Sequence, residues 1–331
     1  MSSVALSPRR AVAFLIVLIA LSATAVLSGS QSATASPQRP GDLAAPSPLA
    51  FGVSTWGGPL DTAGMAEVAR LAGETPTLEL FYEDFEQPVP LAKLDAVRSR
   101  GATPVITWEP WQWGGGPVQP AYALDRIADG TYDAHIADWA RGLQAWGHPL
   151  TLRFAHEMNG DWYPWAAGVS GNTAADYVAA WRHVHDLFTA ADATNVTWLW
   201  SPNTPYDGSA PMADFYPGAA YVDTVGLDGY NWGGTTAWNP WIEPRALFAN
   251  GLTQLRALAP GKPILIAETG SADAGGDKAR WIGRLVRYLD AQPDVTGFVW
   301  FDHVKETDWR FHSTPRTTAA FAAALDRRVA G

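Results

Sequence analysis

Two glutamates lie where apolar segments of this 331-residue sequence give way to polar loops. Glu157 follows the apolar run at 150–155, and Glu268 follows the run at 264–267. A carboxylate in such a place raises the free energy of the folded chain unless it is paired or solvated, so its placement suggests a functional role. Glycoside hydrolysis needs two facing carboxyl groups, one protonated to donate to the leaving oxygen and one ionised to attack the anomeric carbon. Glu157 and Glu268 are therefore our candidate catalytic residues, provided that the fold brings them together.

Other catalytic classes find no support in the sequence. His156 and Glu157 would open a zinc-binding motif only with a histidine at position 160, and that residue is Gly160. The sequence has no Gly-x-Ser-x-Gly nucleophile elbow. Because it has no cysteine, it also has no disulfide, thiolate ligand or cysteine nucleophile. We expect neither a metal nor a cofactor.

The chain is rich in tryptophan, with 17 residues. This number exceeds what a core needs, and a flat amphipathic ring is suited to stacking on the face of a sugar. Tryptophans in helix-like segments are interpreted as core residues: Trp139, Trp146, Trp181 and Trp281. Tryptophans at or beyond strand ends are candidates for lining a sugar-binding cleft, and a place outside the cleft is the equal alternative for each. They are Trp56, Trp108, Trp111, Trp113, Trp232, Trp238, Trp241 and Trp309.

The elements that must position these residues follow from the apolar pattern. Short apolar runs of the kind found in parallel strands buried on both faces alternate with amphipathic segments. The runs lie at 49–56, 77–82, 103–108, 150–155, 196–200, 224–227, 264–267 and 295–301. The helix-like segments lie at 65–71, 91–98, 136–146, 177–188, 246–258, 279–289 and 317–328. After the fifth run, 210–217 allows only a short or distorted helix.

Eight strand–helix units over about 280 residues predict a single (β/α)8 barrel, the TIM barrel. The alternative is a doubly wound open sheet, which would usually show a glycine-rich phosphate loop after its first strand. Gly57-Gly58 does not fit that pattern. Catalysis in a barrel takes place at the C-terminal ends of the strands, and the fourth and seventh strands lie on opposite sides of its mouth. Glu157 and Glu268 are therefore expected to face each other.

Composition and the N-terminal region bear on partners and compartment. The hydrophobic fraction of 47% excludes a disordered chain, and the net charge of −10 argues against nucleic acid as a partner. Residues 1–35 combine two arginines, an apolar run and a small-residue cleavage site, which predicts an export signal. An uncleaved membrane anchor is the alternative. Residues 36–48 are predicted to be a proline-rich disordered tether, and 49–331 the catalytic domain of a secreted monomer without stable membrane association once the signal is cleaved.

A longer motif surrounds the first glutamate: Arg153, then His156-Glu157-Met158-Asn159-Gly160, then Trp162 and Trp165. Further along the chain come Gly229-Tyr230-Asn231-Trp232, Ala267-Glu268-Thr269-Gly270 and Trp300. In order and spacing, these segments at 150–310 resemble glycoside hydrolase family 26. That family consists largely of β-mannanases with a (β/α)8 fold in clan A of the glycoside hydrolases.

The resemblance implies a retaining mechanism with Glu157 as general acid/base and Glu268 as nucleophile. It implies that Tyr230 hydrogen-bonds the nucleophile and that His156 helps to position the site around the sugar next to the cleaved bond. It also implies that Trp162 and Trp300 form aromatic walls for sugars. Three further tryptophans are candidates for binding the substrate or supporting the site: Trp165, Trp232 and Trp108.

Arg153 has two open interpretations. Because side chains alternate along a strand, positions 153 and 157 share a face, so Arg153 would support the nucleophile from inside the barrel. A structural arginine that is satisfied within the barrel is the alternative.

Two departures from the family bear on the substrate. Many of its mannanases carry Trp-Phe-Trp-Trp after the Asn-Gly pair, where this chain has Asp161-Trp162-Tyr163-Pro164-Trp165. They also tend to have a histidine near the end of the third strand, where this chain reads Thr107-Trp108-Glu109-Pro110-Trp111. Both segments look more like those of the minority members that cleave mixed-linkage β-glucan.

The expected activity is hydrolysis of internal β-1,4 bonds of a polysaccharide, with β-mannan the most typical substrate of the family. Mixed-linkage β-1,3-1,4-glucan and β-1,3-xylan are the alternative substrates. A non-catalytic polysaccharide-binding protein is the rival from another functional class, although such a protein would usually have lost one of the two carboxyl groups.

Overall fold

The computed structural model describes residues 49–237 and 239–328. The expected signal at 1–35 and tether at 36–48 lie outside the described residues, as does Trp238. None of the helices within the described ranges is long and apolar enough to cross a membrane.

Eight parallel strands of the described chain close into a barrel in sequential order. They are β1 (Ala50–Thr55), β2 (Leu78–Asp84), β3 (Thr103–Glu109), β4 (Leu150–Phe154), β5 (Val196–Trp200), β6 (Thr224–Asn231), β7 (Ile264–Ser271) and β8 (Val295–Asp302). Strand β1 pairs along its whole length with β8, from Ala50 opposite Gly297 to Thr55 opposite Asp302. The predicted (β/α)8 barrel is confirmed.

The helices surround the barrel. Those of the described residues are α1 (Thr62–Ala72), α2 (Leu91–Ser99), α3 (Leu124–Ala128), α4 (Asp133–Trp146), α5 (Ala174–Ala190), α6 (Pro244–Leu258), α7 (Lys278–Asp290) and α8 (Pro315–Asp326). After β5 come only two 3₁₀ turns, Met212–Phe215 and Ala219–Tyr221, as the weak pattern at 210–217 predicts. The sequence did not indicate α3, because five residues are too few to show a helical period.

Strands β6 and β7 continue four residues beyond the apolar runs that predicted them, to Asn231 and Ser271. The added residues include Asp228 and Glu268, which are buried inside the barrel. A prediction from hydropathy places the end of a strand at its first charged residue. Here the charged residues are paired within the barrel, so the strands continue beyond them.

The core has two layers. Between strands and helices lie large aromatic residues, including the expected core residues Trp139, Trp181 and Trp281, whereas Trp146 is half-buried and donates to Asp95 Oδ1 at 2.9 Å. Inside the barrel, a smaller apolar cluster fills the space below the mouth: Leu80, Val105, Leu199, Leu265, Ala267 and Val299. The polar residues of the site lie above this floor.

Candidate active site

The segment after β4 positions Glu157 by an unusual backbone turn. Ala155 (φ 44°) and Glu157 (φ 53°) both adopt the left-handed conformation, which is costly for residues other than glycine. The turn is fixed by neighbouring strands, because the Ala155 amide donates to Trp108 O at 3.1 Å and the Glu157 amide donates to Ser201 O at 2.8 Å. Glu157 therefore reaches the mouth through this turn, not through the strand alternation expected from positions 153 and 157.

The carboxyl group of Glu157 is 7% exposed and is bound by neutral donors. Its Oε1 accepts from Asn203 Nδ2 at 2.7 Å, and its Oε2 accepts from Trp162 Nε1 at 2.8 Å. Asn203 is in turn held by two hydrogen bonds with Asn159 of the same motif, at 2.8 and 2.9 Å. Burial and the nearby negative charge of Glu268 raise the pKa of Glu157 to about 7, so its proton is retained near neutrality.

Glu268, on β7, is equally buried but is surrounded by charged and phenolic donors. Its Oε1 accepts from the Tyr82 hydroxyl at 2.8 Å and from the guanidinium of Arg153, and its Oε2 accepts from the Tyr230 hydroxyl at 2.5 Å. Burial opposes ionisation, but Arg153 and the other donors outweigh it and lower the pKa of Glu268 to about 2. Glu268 is therefore an anion at all ordinary pH values.

Arg153 is fully buried and has partners on several strands. Its Nη1 donates to Asp228 Oδ2 at 2.9 Å, and its Nε donates to Thr107 Oγ1 at 2.9 Å. Asp228 also accepts from Ser201 Oγ at 2.9 Å. Arg153 therefore combines the two expected roles: its hydrogen-bonding groups find partners within the barrel, and it also binds Glu268.

His156 is buried next to Glu268, with Nε2 3.9 Å from Glu268 Oε1. Burial and the charge of Arg153 lower the pKa of His156 well below its ordinary value, so the ring is neutral. Its Nδ1 has no hydrogen-bond partner among the described residues, and the ring packs on Tyr163 with centroids 4.8 Å apart.

Trp300, which the family resemblance led us to expect as a wall for sugars, does not reach the cleft, and that expectation is wrong. Trp108, a candidate for the cleft, does not reach it either. Both are fully buried on the outer face of the barrel. Trp108 stacks on Trp139 with centroids 4.5 Å apart, and Trp300 lies edge-on to Phe321 at 5.2 Å. In these strands the neighbours of each tryptophan point inward, so the pleat turns its ring toward the helices.

Trp165 is also fully buried and supports the site without facing the cleft. Its indole N–H donates to His156 O at 2.6 Å, and its ring stacks on Tyr163 with centroids 4.4 Å apart.

Four aromatic residues are exposed on loops after β1, β3, β4 and β5. Their exposed fractions are 78% for Trp56, 43% for Trp113, 38% for Trp162 and 44% for Tyr206. Trp162 and Tyr206 stack on each other with centroids 6.0 Å apart. Trp232 is half-buried, with its ring edge-on to Trp309 at 5.0 Å. Aromatic faces thus lie on several sides of the mouth.

Sequence reasoning missed four residues that complete the site: Tyr82, Glu109, Asn203 and Asp228. Each lies at or within three residues of the end of a predicted strand, which was the available signal. Among residues 49–237 and 239–328, no group of three or more acidic or histidine side chains is placed to hold a metal ion.

Known proteins are similar to this chain in sequence and in fold. The model of glycosyl hydrolase family 26 matches residues 96–262. Endoglucanase H of Acetivibrio thermocellus is 41% identical over 247 residues, or 73% of this chain and 26% of that protein. A mannan endo-1,4-beta-mannosidase of Bacillus subtilis is 32% identical over 146 residues, or 43% of this chain and 36% of that protein. The chain thus spans about a quarter to a third of the length of these relatives.

The solved structure of Bacillus subtilis mannanase BCman has the same fold. It superposes with a TM-score of 0.61 at 21% identity, over 86% of each chain.

Proposed function

The chain belongs to glycosyl hydrolase family 26, and on that premise we propose that it is a retaining endo-β-glycanase. The observation that carries this proposal is the contrast between the donors of the two buried carboxyl groups, which are neutral side chains at Glu157 and a guanidinium with two phenols at Glu268. In keeping with this contrast, burial raises the pKa of Glu157 to about 7, whereas Arg153 and the other donors outweigh burial and lower the pKa of Glu268 to about 2. One acid and one anion in the same cleft are the pair that glycoside hydrolysis requires, and membership of this family supports the retaining course.

In the first step, Glu157 donates its proton to the glycosidic oxygen while Glu268 attacks the anomeric carbon. The bond to the leaving sugar breaks, and a covalent glycosyl-enzyme forms. In the second step, Glu157 takes a proton from water, whose oxygen displaces Glu268 from the anomeric carbon. Tyr82, Tyr230 and Arg153 keep the attacking carboxylate in place throughout.

Internal cleavage of a polymer is supported by the exposed aromatic residues. Trp56, Trp113 and Trp162 follow three different strands, so sugars on either side of the cleaved bond can find an aromatic face. An enzyme that trims chain ends needs such faces on one side only.

For the polymer, we propose mixed-linkage β-1,3-1,4-glucan as the first substrate. It is supported by the longer and closer similarity to an endoglucanase and by the two departures at 107–111 and 161–165. β-Mannan is the second candidate, because several relatives are named mannan endo-1,4-beta-mannosidases.

The site of action is a proposal too. Residues 1–35 would direct export, with retention as a membrane anchor the alternative. Detecting the chain in the culture medium, and not in membranes, would support release.

The test is reducing-sugar release from mixed-linkage glucan and from galactomannan, run side by side. We expect Glu157→Ala and Glu268→Ala each to lower turnover about 10³-fold or more, while Glu67→Ala on the exposed face of α1 changes nothing. With an activated aryl β-glycoside as substrate, azide should yield the α-glycosyl azide from Glu268→Ala and the β-glycosyl azide from Glu157→Ala, and NMR of the products distinguishes the two. Near-normal turnover of either variant, or no activity of the parent protein on either polymer, would overturn the proposal.

A further inference from the structure

A third carboxyl group lies in the cleft and has no part in the mechanism above. Glu109 is the last residue of β3 and is only 4% exposed. Two positions earlier, Thr107 accepts from Arg153 inside the barrel, whereas Trp108 packs outside it. Because side chains alternate along a strand, Glu109 points toward the barrel axis like Thr107, one layer nearer the mouth.

The loop after β3 holds one carboxyl oxygen of Glu109 by hydrogen bonds, and the other oxygen receives none from it. Oε2 accepts from the indole N–H groups of Trp111 at 3.1 Å and Trp113 at 2.6 Å. Within the described chain, Oε1 accepts no hydrogen bond, yet it is not sealed from solvent. A buried carboxyl group held in one orientation with one open oxygen is a built acceptor for a ligand hydroxyl.

The contacts beneath Glu109 place it on the side of the proposed nucleophile. Thr107, one layer deeper on the same face of β3, accepts from Arg153, and Arg153 in turn binds Glu268. Strand β3 also pairs with β2, whose Tyr82 binds Glu268. The leaving group, in contrast, lies toward Glu157 and its partner Trp162 on the loop after β4.

Among the residues that the structure describes, no cationic side chain pairs with Glu109. The guanidinium of Arg153 already binds Asp228 and Glu268. Burial raises the pKa of Glu109 to about 7 despite the two indole donors. Near neutrality its open oxygen can therefore either accept a hydrogen bond from a sugar hydroxyl or donate one to it.

We propose that Glu109 binds a hydroxyl group of the sugar on the glycone side of the cleaved bond and thereby helps to select that sugar. This inference rests on the proposed function. The two indole donors fix the direction of the open oxygen, so a hydroxyl of the wrong configuration would miss it. A buried carboxyl group without a hydrogen-bond partner costs free energy, so a substrate that lacks the matching hydroxyl should react much more slowly.

The test combines the removal of single hydroxyl groups from the substrate with the replacement of Glu109 in the protein. We would measure kcat/KM for an aryl β-glycoside and for analogues that lack one hydroxyl of the glycone sugar, with the parent protein and with Glu109→Gln. The comparison is made about one pH unit above the pKa of Glu109, where its open oxygen is an acceptor. In the variant, the indole donors hold the amide oxygen and turn the NH2 group toward the sugar, so that this acceptor is replaced by a donor. For one analogue, kcat/KM of the parent protein should be about 10- to 100-fold lower than for the complete substrate, and the decrease in Glu109→Gln should be far smaller.

Asp84→Asn is the matched control, because Asp84 accepts from the backbone amide of Trp113 at 2.8 Å and so holds the same loop. It should keep the discrimination of the parent protein. If Glu109→Gln fails to fold, Trp111→Phe removes one of the two donors and can replace it in the comparison.

The outcomes separate the two proposals. A parent protein that hydrolyses no polymer and no aryl glycoside contradicts the proposed function. An active parent protein whose discrimination among the analogues is unchanged in Glu109→Gln, or equally lost in Asp84→Asn, overturns the role of Glu109 alone.

Discussion

Burial by itself raises the pKa of any carboxyl group, yet the two glutamates of this cleft end in opposite states. The difference lies in their partners. Glu157 receives hydrogen bonds from the neutral side chains Asn203 and Trp162, whereas Glu268 receives one from the guanidinium of Arg153. The position of a single buried cation thus decides which carboxyl is the proposed acid and which is the nucleophile.

This arrangement predicts the pH dependence of the reaction. The proposed acid must be protonated, so kcat/KM should fall as the pH rises through about 7, where Glu157 loses its proton. Glu268→Gln removes the negative charge that helps to raise the pKa of Glu157, so that pKa should decrease. Carboxyl-carbon NMR, with the Glu157 signal identified through Glu157→Gln, measures it in the absence of turnover. An unchanged or higher pKa in Glu268→Gln would contradict the coupling, and Glu67→Gln provides the control.

At the scale of an element, the loop after β4 depends on close contacts that leave no room for a larger residue. A methyl group added at Gly160 would lie 2.5 Å from Cη2 of Trp162, which forces the ring to move. The same ring donates to Glu157 and forms an exposed face of the cleft. The glycine of the motif is therefore explained by the packing of this ring against the backbone.

Gly160→Ala should accordingly lower kcat/KM about 10-fold, because the displaced ring loses its hydrogen bond to Glu157. The free energy of unfolding should change little, since the ring is exposed and can move outward. Gly283→Ala is the matched control, because nothing lies within 4 Å of the added methyl group on α7. That variant should keep its activity and gain up to about 1 kcal/mol in urea unfolding. Equal activities of the two variants would refute the role of Gly160.

At the scale of the whole molecule, the segment after α8 is bound to the segment that precedes β1. Arg328, two residues after α8, donates to Leu49 O just before β1 and also pairs with Glu74. The side chain of Arg328 is 9% exposed, so water competes little for these bonds. This contact joins parts of the chain that are 279 residues apart in sequence.

Arg328→Met should therefore lower the free energy of unfolding by about 1–3 kcal/mol, because it leaves a backbone carbonyl and a carboxylate without their donor. Arg327→Met removes the same charge from an exposed neighbour and should have little effect. Urea unfolding of the parent protein and both variants measures the difference. Similar losses in the two variants would mean that net charge, not this contact, is responsible.

The sequence alone determined the alternation of strands and helices, and hence the barrel, because apolar periodicity is a local property. It also predicted Glu157 and Glu268 as the catalytic pair, since each lies within two residues of the end of an apolar run. Tertiary structure decided which tryptophans face the cleft. In strands buried on both faces nearly every residue is apolar, so the sequence does not show which side chains point inward.

Tertiary structure alone also decided the protonation of the pair. The contact between Tyr82 and Glu268 spans 186 residues of sequence, and that between Arg153 and Glu268 spans 115. No local pattern records such contacts, because barrel closure brings these side chains together. The charge that fixes the roles of the two glutamates therefore acts only in the folded chain.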